Sequence, residues 1–293
     1  MECSNNLETI TFQVGNIWFP VLKTISYNSK IYHQLQLKYS VICDEIVQKK
    51  ISDFCYKRGI QNPNFIDVKS LDDGNLLSDL KCVFKHDGGN REEFEFNCFA
   101  RFFYIKNYME RKSILKIFHI DSDIALSKKF ILEMNSFKKL TKDSLLLFNK
   151  NTTPVSVWGL NKMREYCDFG INEYFKKDLS IHRFCDMDML ASFIENKKIK
   201  YFNLSSSNHI TGINFIKNLG NDLSILPWFL SSTPEYDKFS RNIPLEVFIK
   251  FAKTIQIADN NFSSKNEYMP FIHFQSWSKK VVKEMDKFLG EKF

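Results

Sequence analysis

Residues 100–126, ARFFYIKNYMERKSILKIFHIDSDIAL, decide the fold of this chain. Apolar residues recur at helical spacing through 95–112 and predict a well-buried helix. The short apolar run 116–120, KIFHI, then predicts a strand that stops at Asp121. A buried helix followed directly by a buried strand indicates an α/β sheet, and the strand brings Asp121 and Asp123 to its carboxyl end.

The N-terminal half repeats this alternation of strands and helices. Strands are predicted within 8–15, 38–46 and 64–70, and helices over 19–33 and 47–59, followed by a polar loop with a little helix over 72–93. Such alternation predicts an open, mostly parallel, twisted sheet with helices on both faces. Ligands of these sheets collect at the carboxyl ends of the strands.

The second half is less regular. Strands are predicted at 144–149 and 198–204, helices at 154–175 and 185–196, a loop-rich region at 226–244, and a short strand with a polar turn in 270–280 before a last helix. The sequence has no internal repeat and no Pro/Gly/Ser-rich linker. We therefore expect one domain over residues 1–293.

Composition excludes several classes of protein. Lys and Arg exceed Asp and Glu by 41 to 34, but the basic residues are scattered and form no arginine-rich arm, so nucleic acid is not an expected partner. The seven cysteines include no CxxC pair, which favours reduced, buried thiols in the cytoplasm. Residues 1–12 lack the pattern of a secretory signal, and no apolar run is long enough to span a membrane. Residues 281–293 suit either a peripheral membrane contact or a surface-packed amphipathic helix.

Asp121 and Asp123 are candidate metal ligands. Mg²⁺ and Mn²⁺ prefer oxygen ligands and accept one or two carboxylates, with water and phosphate oxygens in the other positions. The alternative is that both carboxylates cap the following turn or helix. The apolar strand that runs directly into the pair favours a cation site.

Residues 100–126 resemble the core of GT-A fold glycosyltransferases, in which an Arg-bearing helix precedes an apolar strand ending in Asp-x-Asp. The resemblance implies that Asp121, Ser122 and Asp123 hold Mn²⁺ or Mg²⁺ and the diphosphate of a nucleotide sugar. It places Arg101 where those enzymes have an arginine facing the donor; a structural salt bridge is the alternative role for this residue.

Two further segments resemble the glycogenin-like and lipopolysaccharide galactosyltransferase-like families. PFIHFQSWSKK, residues 270–280, is similar to their C-terminal His-Phe-x-Gly-x-x-Lys element, which implies that His273 is a third metal ligand and Lys279 a diphosphate contact. The chain departs from that pattern at Ser276, where the families have Gly, and at Lys280, where Pro is usual. The serine affects how closely the backbone can approach the phosphates.

FCDMDML, residues 184–190, is similar to the Asp-Gln-Asp-x-Leu element of the same families. The resemblance implies that Asp186 contacts the hydroxyls of the donor sugar and that Asp188 binds the acceptor or acts as a base. Met187 stands where those families have Gln. Alternatively, both acids complement the dipole in the first turn of a helix.

TFQVGNIWFPVLKTI, residues 11–25, resembles the first strand and loop of the GT-A fold, which holds the nucleoside. Val14, Gly15 and Asn16 are therefore candidate contacts of the base and ribose, and Asp44, after the second strand, is a further one. The alternative is that each of these is a residue of a surface turn with no ligand contact. Residues 1–126 would then form the nucleotide-sugar-binding half, and residues 127–293 an irregular acceptor-side half that carries the C-terminal metal and diphosphate element.

These features together predict a metal-dependent hexosyltransferase. Its donor would be a UDP-sugar bound with Mn²⁺ or Mg²⁺, and its acceptor a hydroxyl of a glycan, a lipid-linked sugar or a protein. One alternative is a sugar-phosphate nucleotidyltransferase, although the first loop has one Gly and no basic residue. The other is a non-catalytic carbohydrate- or protein-binding module on the same fold.

Overall fold

The computed structural model describes residues 7–72, 74–86, 91–136, 140–149, 152–176, 185–203, 255–264, 267–269 and 271–273. Its strands, in chain order, are β1 (Glu8–Gln13), β2 (Tyr39–Cys43), β3 (Asn64–Asp67), β4 (Lys116–Ile120), β5 (Ile124–Leu126), β6 (Leu145–Asn149), β7 (Thr152–Gly159), β8 (Phe202–Asn203), β9 (Ile255–Ala258), β10 (Asn261–Ser264), β11 (Glu267–Met269) and β12 (Phe271–His273).

The main sheet has seven strands in the order β3-β2-β1-β4-β7-β6-β8. Strand β7 runs antiparallel to its neighbours β4 and β6, and the other pairings in this sheet are parallel. The expected open, mostly parallel sheet is therefore confirmed for the described residues. Strands β9, β10 and β11 form a small separate sheet, and β12 pairs with β5.

The helices are α1 (Phe19–Gln34), α2 (Glu45–Tyr56), α3 (Leu76–Val83), α4 (Glu92–Arg111), α5 (Lys128–Ser136), α6 (Leu160–Lys176) and α7 (Asp186–Asn196), with a 3₁₀ turn at Val68–Leu71. Local sequence explains where the first two begin. Pro20 lies in the first turn of α1, where its missing N–H costs no hydrogen bond. The Asp44 carboxylate caps α2 by accepting a hydrogen bond from the backbone N–H of Val47 at 2.9 Å.

The prediction of a helix over 154–175 is wrong for its first six residues. Residues 154–159 belong to strand β7, and α6 begins only at Leu160. The strand forms because β4 pairs with it on one side and β6 on the other. Its side chains Val155 and Val157 are fully buried in the core. At Gly159 a Cβ atom would clash with the backbone carbonyl of Lys142, so the chain passes there without a side chain.

Helices cover both faces of the sheet beside β4. The ring of Phe118 lies 6.1 Å from that of Phe130 on α5. The ring of the next residue, His119, lies 5.7 Å from that of Phe102 on α4. Because successive side chains of a strand point to opposite faces, α4 and α5 lie on opposite sides. The predicted layer arrangement is confirmed at this strand.

Aromatic side chains fill the core between α4, α6, α7 and the sheet. Phe102 packs 5.4 Å from Trp158 and 5.0 Å from Tyr166, and Tyr166 packs 5.4 Å from Phe193, measured between ring centroids. All four rings are buried to 1% exposure or less. Trp158 is therefore a core residue.

The cysteines that the structure describes are free thiols. Cys43, Cys55 and Cys167 are buried, as expected from their apolar neighbours, whereas Cys82 is exposed. Burial raises the pKa of the Cys43 thiol to about 12, so it stays protonated and unreactive at neutral pH. In the described part of the chain, no helix is both long and apolar enough to cross a bilayer.

Lys23 is a buried amine at the contact between α1 and α2. Its Nζ lies 4.6 Å from the ring centroid of Phe19, and the residue as a whole is only 8% exposed. Burial, and secondarily the charge of Arg58, lower the pKa of Lys23 to about 8. Folding therefore disfavours the charged form of this lysine.

We expect the stability of the wild type, relative to a Lys23→Met variant, to rise as the pH rises from about 8 to about 10. Over that window the unfolded chain, whose lysine pKa is about 10.4, binds more protons than the folded protein. Below pH 8 the difference in stability between the wild type and Lys23→Met is constant, and it is least favourable to the wild type. The measurement is the melting temperature of both proteins across this range. Lys49→Met, at an exposed position of α2, is the control, and the same pH dependence in both variants would contradict the assignment.

Candidate active site

The two candidate metal ligands lie in one tight turn, which we call the DSD turn (residues 121–123), between β4 and β5. The backbone N–H of Ile124 donates to the carbonyl of Asp121 at 3.1 Å and closes the turn. The backbone N–H of Asp121 donates to the carbonyl of Pro154 at 2.8 Å, at the start of the neighbouring strand β7. The turn therefore holds Asp121 and Asp123 at the carboxyl end of the parallel strands β1 and β4, as predicted.

Side chains from β1 and α1 fix the middle of the DSD turn. The hydroxyl of Ser122 donates to Oε1 of Gln13 at 2.7 Å, and the carbonyl of Ser122 accepts from the hydroxyl of Thr24 at 2.6 Å. Ser122 was predicted to contact the donor. Its hydroxyl is instead engaged by Gln13 in this structure, so donor contact by Ser122 stays a prediction.

The strand that follows the turn is held by Asn28 of α1. Its Nδ2 donates to the carbonyl of Ile124 at 2.7 Å, and its Oδ1 accepts from the backbone N–H of Leu126 at 3.0 Å. Sequence reasoning missed Gln13, Thr24 and Asn28. Their residue types gave no signal, because only their burial in the structure and their partners on other elements distinguish them.

The predicted nucleoside loop, residues 14–16, lies beside the DSD turn. Gln13, which binds Ser122, also donates from Nε2 to the carbonyls of Val14 at 3.3 Å and Asn16 at 3.2 Å. Gly15 has a φ of +72°, a conformation that a residue with a Cβ rarely adopts. The structure therefore brings Val14, Gly15 and Asn16 to the same edge of the sheet as the acidic turn.

Asp44 has a structural role in the same place. Its Oδ2 accepts from the backbone N–H of Gly15 at 2.5 Å, while its Oδ1 caps α2. The carboxylate thus ties the loop after β1 to the end of β2. Both carboxylate oxygens of Asp44 already accept backbone hydrogen bonds. Contact between Asp44 and a nucleoside therefore stays a prediction.

Arg101 joins two acidic motifs that lie far apart in sequence. Its Nη1 donates to Oδ1 of Asp121 at 2.7 Å, and its Nη2 donates to Oδ2 of Asp186 at 2.8 Å. The side chains are 14%, 24% and 11% exposed for Arg101, Asp121 and Asp186, so the ion pairs are largely shielded from water. Burial acts to lower the pKa of Arg101, but the two carboxylates outweigh it and raise that pKa above its ordinary value.

Asp188 lies near this cluster in sequence but caps its own helix. Its Oδ2 accepts from the backbone N–H of Cys185 at 3.0 Å and from the Cys185 thiol at 3.1 Å. The residue is exposed in the first turn of α7, which is the dipole-complementing position considered from the sequence. A role for Asp188 as base or acceptor contact stays a prediction.

The C-terminal element approaches the DSD turn through its backbone. Strand β12 pairs antiparallel with β5, and His273 lies opposite Ile124, the residue that follows Asp123. This register brings the backbone of His273 next to the DSD turn, and its role as a metal ligand stays a prediction. The side chain of His273, and all of Lys279, Ser276 and Lys280, lie outside the described residues.

The residues of the DSD turn suit a hard divalent cation. Among the side chains that the structure describes, no three of the types His, Cys, Asp and Glu are grouped closely enough to hold a metal. Asp121 and Asp123 remain as two partly exposed carboxylates, a number that Mg²⁺ and Mn²⁺ accept when water and phosphate supply the other ligands. The oxygen donor set therefore fits a diphosphate-bound cation better than a closed structural site.

Several solved structures are similar to this chain. Mouse xyloside xylosyltransferase 1 in its apo form is 13% identical with a TM-score of 0.47, over 68% of this chain and 84% of that one. Galactosyltransferase LgtC in complex with donor and acceptor sugar analogs is 12% identical with a TM-score of 0.43, over 64% and 70%. Glycosyltransferase GlyE of Streptococcus pneumoniae TIGR4 is 15% identical with a TM-score of 0.42, over 82% and 52%.

No protein-family model matches the chain, and no curated protein matches it in sequence. The similar structures are glycosyltransferases, the class of enzyme that the sequence motifs resemble. At such low identity and structural overlap, they determine neither the substrate nor the reaction of this chain. Its function has to be argued from the acidic site itself.

Proposed function

We propose that this chain is a metal-dependent glycosyltransferase that uses a nucleotide-sugar donor, with UDP as the nucleotide. The observation that carries the proposal is the Arg101 bridge, which brings Asp121 of the DSD turn and Asp186 of α7 to one site. Arg101 thus spans two motifs, where the structural salt bridge considered from the sequence would need one carboxylate only. Two acidic motifs converging at the carboxyl edge of an α/β sheet are the arrangement expected of a ligand site.

In this proposal Asp121 and Asp123 hold Mn²⁺ or Mg²⁺, and His273 is the third protein ligand. The bound cation supplies Lewis-acid neutralisation of the departing diphosphate. Lys279 contacts the same diphosphate, and residues 14–16 lie along the nucleoside. The carboxylates of the site alone would repel an anionic donor. The bound cation and the positive charge of Lys279 offset that repulsion.

Arg101 and Asp186 serve the sugar end of the donor. The guanidinium holds the Asp186 carboxylate in a fixed orientation at 2.8 Å, so that the carboxylate can accept hydrogen bonds from sugar hydroxyls. Of the two aspartates of α7, Asp186 pairs with Arg101 and is thereby joined to the DSD turn, so it is the one we assign to donor binding. Pre-oriented acceptors of this kind lower the cost of placing the anomeric carbon for attack.

The transfer step is a substitution at the anomeric carbon. An acceptor hydroxyl oxygen forms a bond to that carbon, the bond to the diphosphate oxygen breaks, and the nucleoside diphosphate leaves with the electron pair. If configuration inverts, Asp188 is the carboxylate we assign to receive the hydroxyl proton. If configuration is retained, a diphosphate oxygen receives it. The acceptor class we propose is a hydroxyl of a glycan, a lipid-linked sugar or a protein in the cytoplasm.

Calorimetric titration of the purified chain with UDP, in the presence and absence of Mn²⁺, tests the proposal. We expect heat of binding with Mn²⁺ and little without it, because the cation joins the diphosphate to the two carboxylates. Slow Mn²⁺-dependent hydrolysis of UDP-sugars should accompany binding. GDP, CMP and dTDP are the comparison ligands. Failure of every nucleotide to bind would exclude a nucleotide-sugar enzyme and favour a non-catalytic module.

A further inference from the structure

His119 is a buried imidazole directly behind the acidic turn. It is 1% exposed and lies in β4, two residues before Asp121. Alternate residues of a strand point to the same side, so both side chains project toward α4. A polar ring placed against Phe102 in an aromatic core costs free energy unless its nitrogens are bonded. The position therefore calls for a physical reason.

A hydrogen-bonded chain across β4 and β7 gives that reason. Ser156 lies opposite His119 in the strand register, and its Oγ is 3.3 Å from Nδ1 of His119. Nε1 of Trp158 donates to the same Oγ at 3.0 Å. An indole N–H can only donate, so Ser156 accepts from Trp158. Its own hydroxyl proton is then available to Nδ1, an arrangement that leaves the proton of a neutral imidazole on Nε2.

Nε2 of His119 faces the candidate metal ligand. It lies 3.8 Å from Oδ1 of Asp121, the oxygen that also accepts from Nη1 of Arg101 at 2.7 Å. Arg101 therefore holds this oxygen by a hydrogen bond, while the imidazole edge of His119 stands behind it at a distance too long for a hydrogen bond. Both side chains are largely buried, so together they restrict rotation of the carboxylate.

We propose that the His119–Ser156–Trp158 chain positions the Asp121 carboxylate for cation binding. His119 is a positioning residue in this assignment and touches neither cation nor donor. The proposal rests on the proposed function, because it takes Asp121 as a metal ligand. Groups that orient a metal ligand in this way commonly change metal affinity by about 10- to 100-fold when removed.

Two substitutions separate positioning from packing. In His119→Gln the side-chain amide nitrogen reaches the place of Nε2 and keeps a donor toward Asp121. In His119→Asn the shorter amide reaches only the place of Nδ1 and contacts Ser156 alone. Both variants keep a polar amide in the core. If His119 did not act on Asp121, the two variants would therefore have the same Mn²⁺ affinity.

The experiment measures Mn²⁺ binding to each protein in the presence of UDP, from the loss of the electron paramagnetic resonance signal of free Mn²⁺. We expect His119→Asn to weaken Mn²⁺ binding by about 10-fold or more and His119→Gln to change it by less than about threefold. Equal affinities in the two variants, whether both unchanged or both weakened, would overturn the positioning role. Absence of Mn²⁺ binding in the wild type would instead refute the proposed function, and the inference with it.

A third variant, Ser156→Ala, keeps the test decisive if either histidine variant fails to fold. It removes the hydroxyl that bonds Nδ1 of His119 but leaves the strand backbone intact. We expect Mn²⁺ affinity to fall by several-fold, with circular dichroism like that of the wild type. Wild-type affinity in a folded Ser156→Ala protein would show that the hydrogen-bonded chain does not act on Asp121.

Discussion

In Asp123→Asn, sugar transfer is expected to fall by at least about 10²–10³-fold. The substitution preserves the size of the side chain but removes the anionic oxygen that a hard cation prefers. The diphosphate then loses the charge that stabilises its departure, while the turn keeps its backbone hydrogen bonds. The measurement is the initial rate of UDP-sugar hydrolysis and transfer at saturating Mn²⁺, with the melting temperature recorded for each protein.

The matched control is Asp53→Asn, the same chemical change at an exposed position of α2. It should leave both the rate and the melting temperature unchanged. Asp121→Asn should match Asp123→Asn in activity, although it also weakens the pair with Arg101. Near-wild-type transfer by both Asp→Asn variants, with Mn²⁺ still required, would place the metal elsewhere and refute the assignment.

Removal of Arg101 has the second large effect, and it is visible in stability as well as activity. In Arg101→Ala, Asp121 and Asp186 lose the guanidinium that they share at 2.7 and 2.8 Å. Stripping one partner from a buried ion pair costs about 3–5 kcal/mol, and the partial exposure of Asp121 puts the expected loss near the lower end. We expect the free energy of unfolding from urea titration to fall by about 3 kcal/mol and transfer to be lost.

Arg101→Lys separates charge from geometry. A lysine keeps the positive charge but presents one ammonium group, which cannot reach both carboxylates with two parallel donors. We therefore expect partial recovery of stability and little recovery of transfer. Arg164→Ala is the control, because its pair with Glu110 is exposed and is worth about 1 kcal/mol or less. A loss in Arg101→Ala no greater than in Arg164→Ala would show that the bridge is not important to the fold.

Local sequence determined much of the fold. The helix–strand–DSD order of residues 95–123 could be predicted because a helix and a buried strand have different apolar periods. Pro20 marked the start of α1 through chemistry confined to one helical turn. The cap at Asp44 was not recognised from the sequence, which began the second helix at residue 47, two positions after α2 begins. These features depend on residues within a few positions of one another, so the sequence is sufficient to find them.

Strand β7 shows where local reasoning ended. Residues 154–159 run directly into the helical pattern of α6, and the single Gly159 at the junction was not enough to separate the two elements. The strand forms because β4 and β6, distant in sequence, supply its hydrogen bonds. The sequence of residues 154–159 carries no information on these partner strands, so its local pattern favoured a helix.

The candidate site divides in the same way. Asp121, Asp123, Arg101 and Asp186 could be named from short motifs, but the motifs gave no information on their mutual distances. Only the tertiary structure decided that Arg101 pairs with Asp186, 85 positions away, as well as with Asp121.

The supporting residues Gln13, Asn28 and His119 were likewise beyond the reach of sequence. Their residue types are common, and their roles come from hydrogen bonds to backbone and side chains on other elements. The sequence by itself thus determined the helix-and-strand frame and the acidic motifs, whose signals are local. The tertiary structure decided how buried polar groups converge on the acidic turn, because that convergence depends on contacts between residues far apart in the chain.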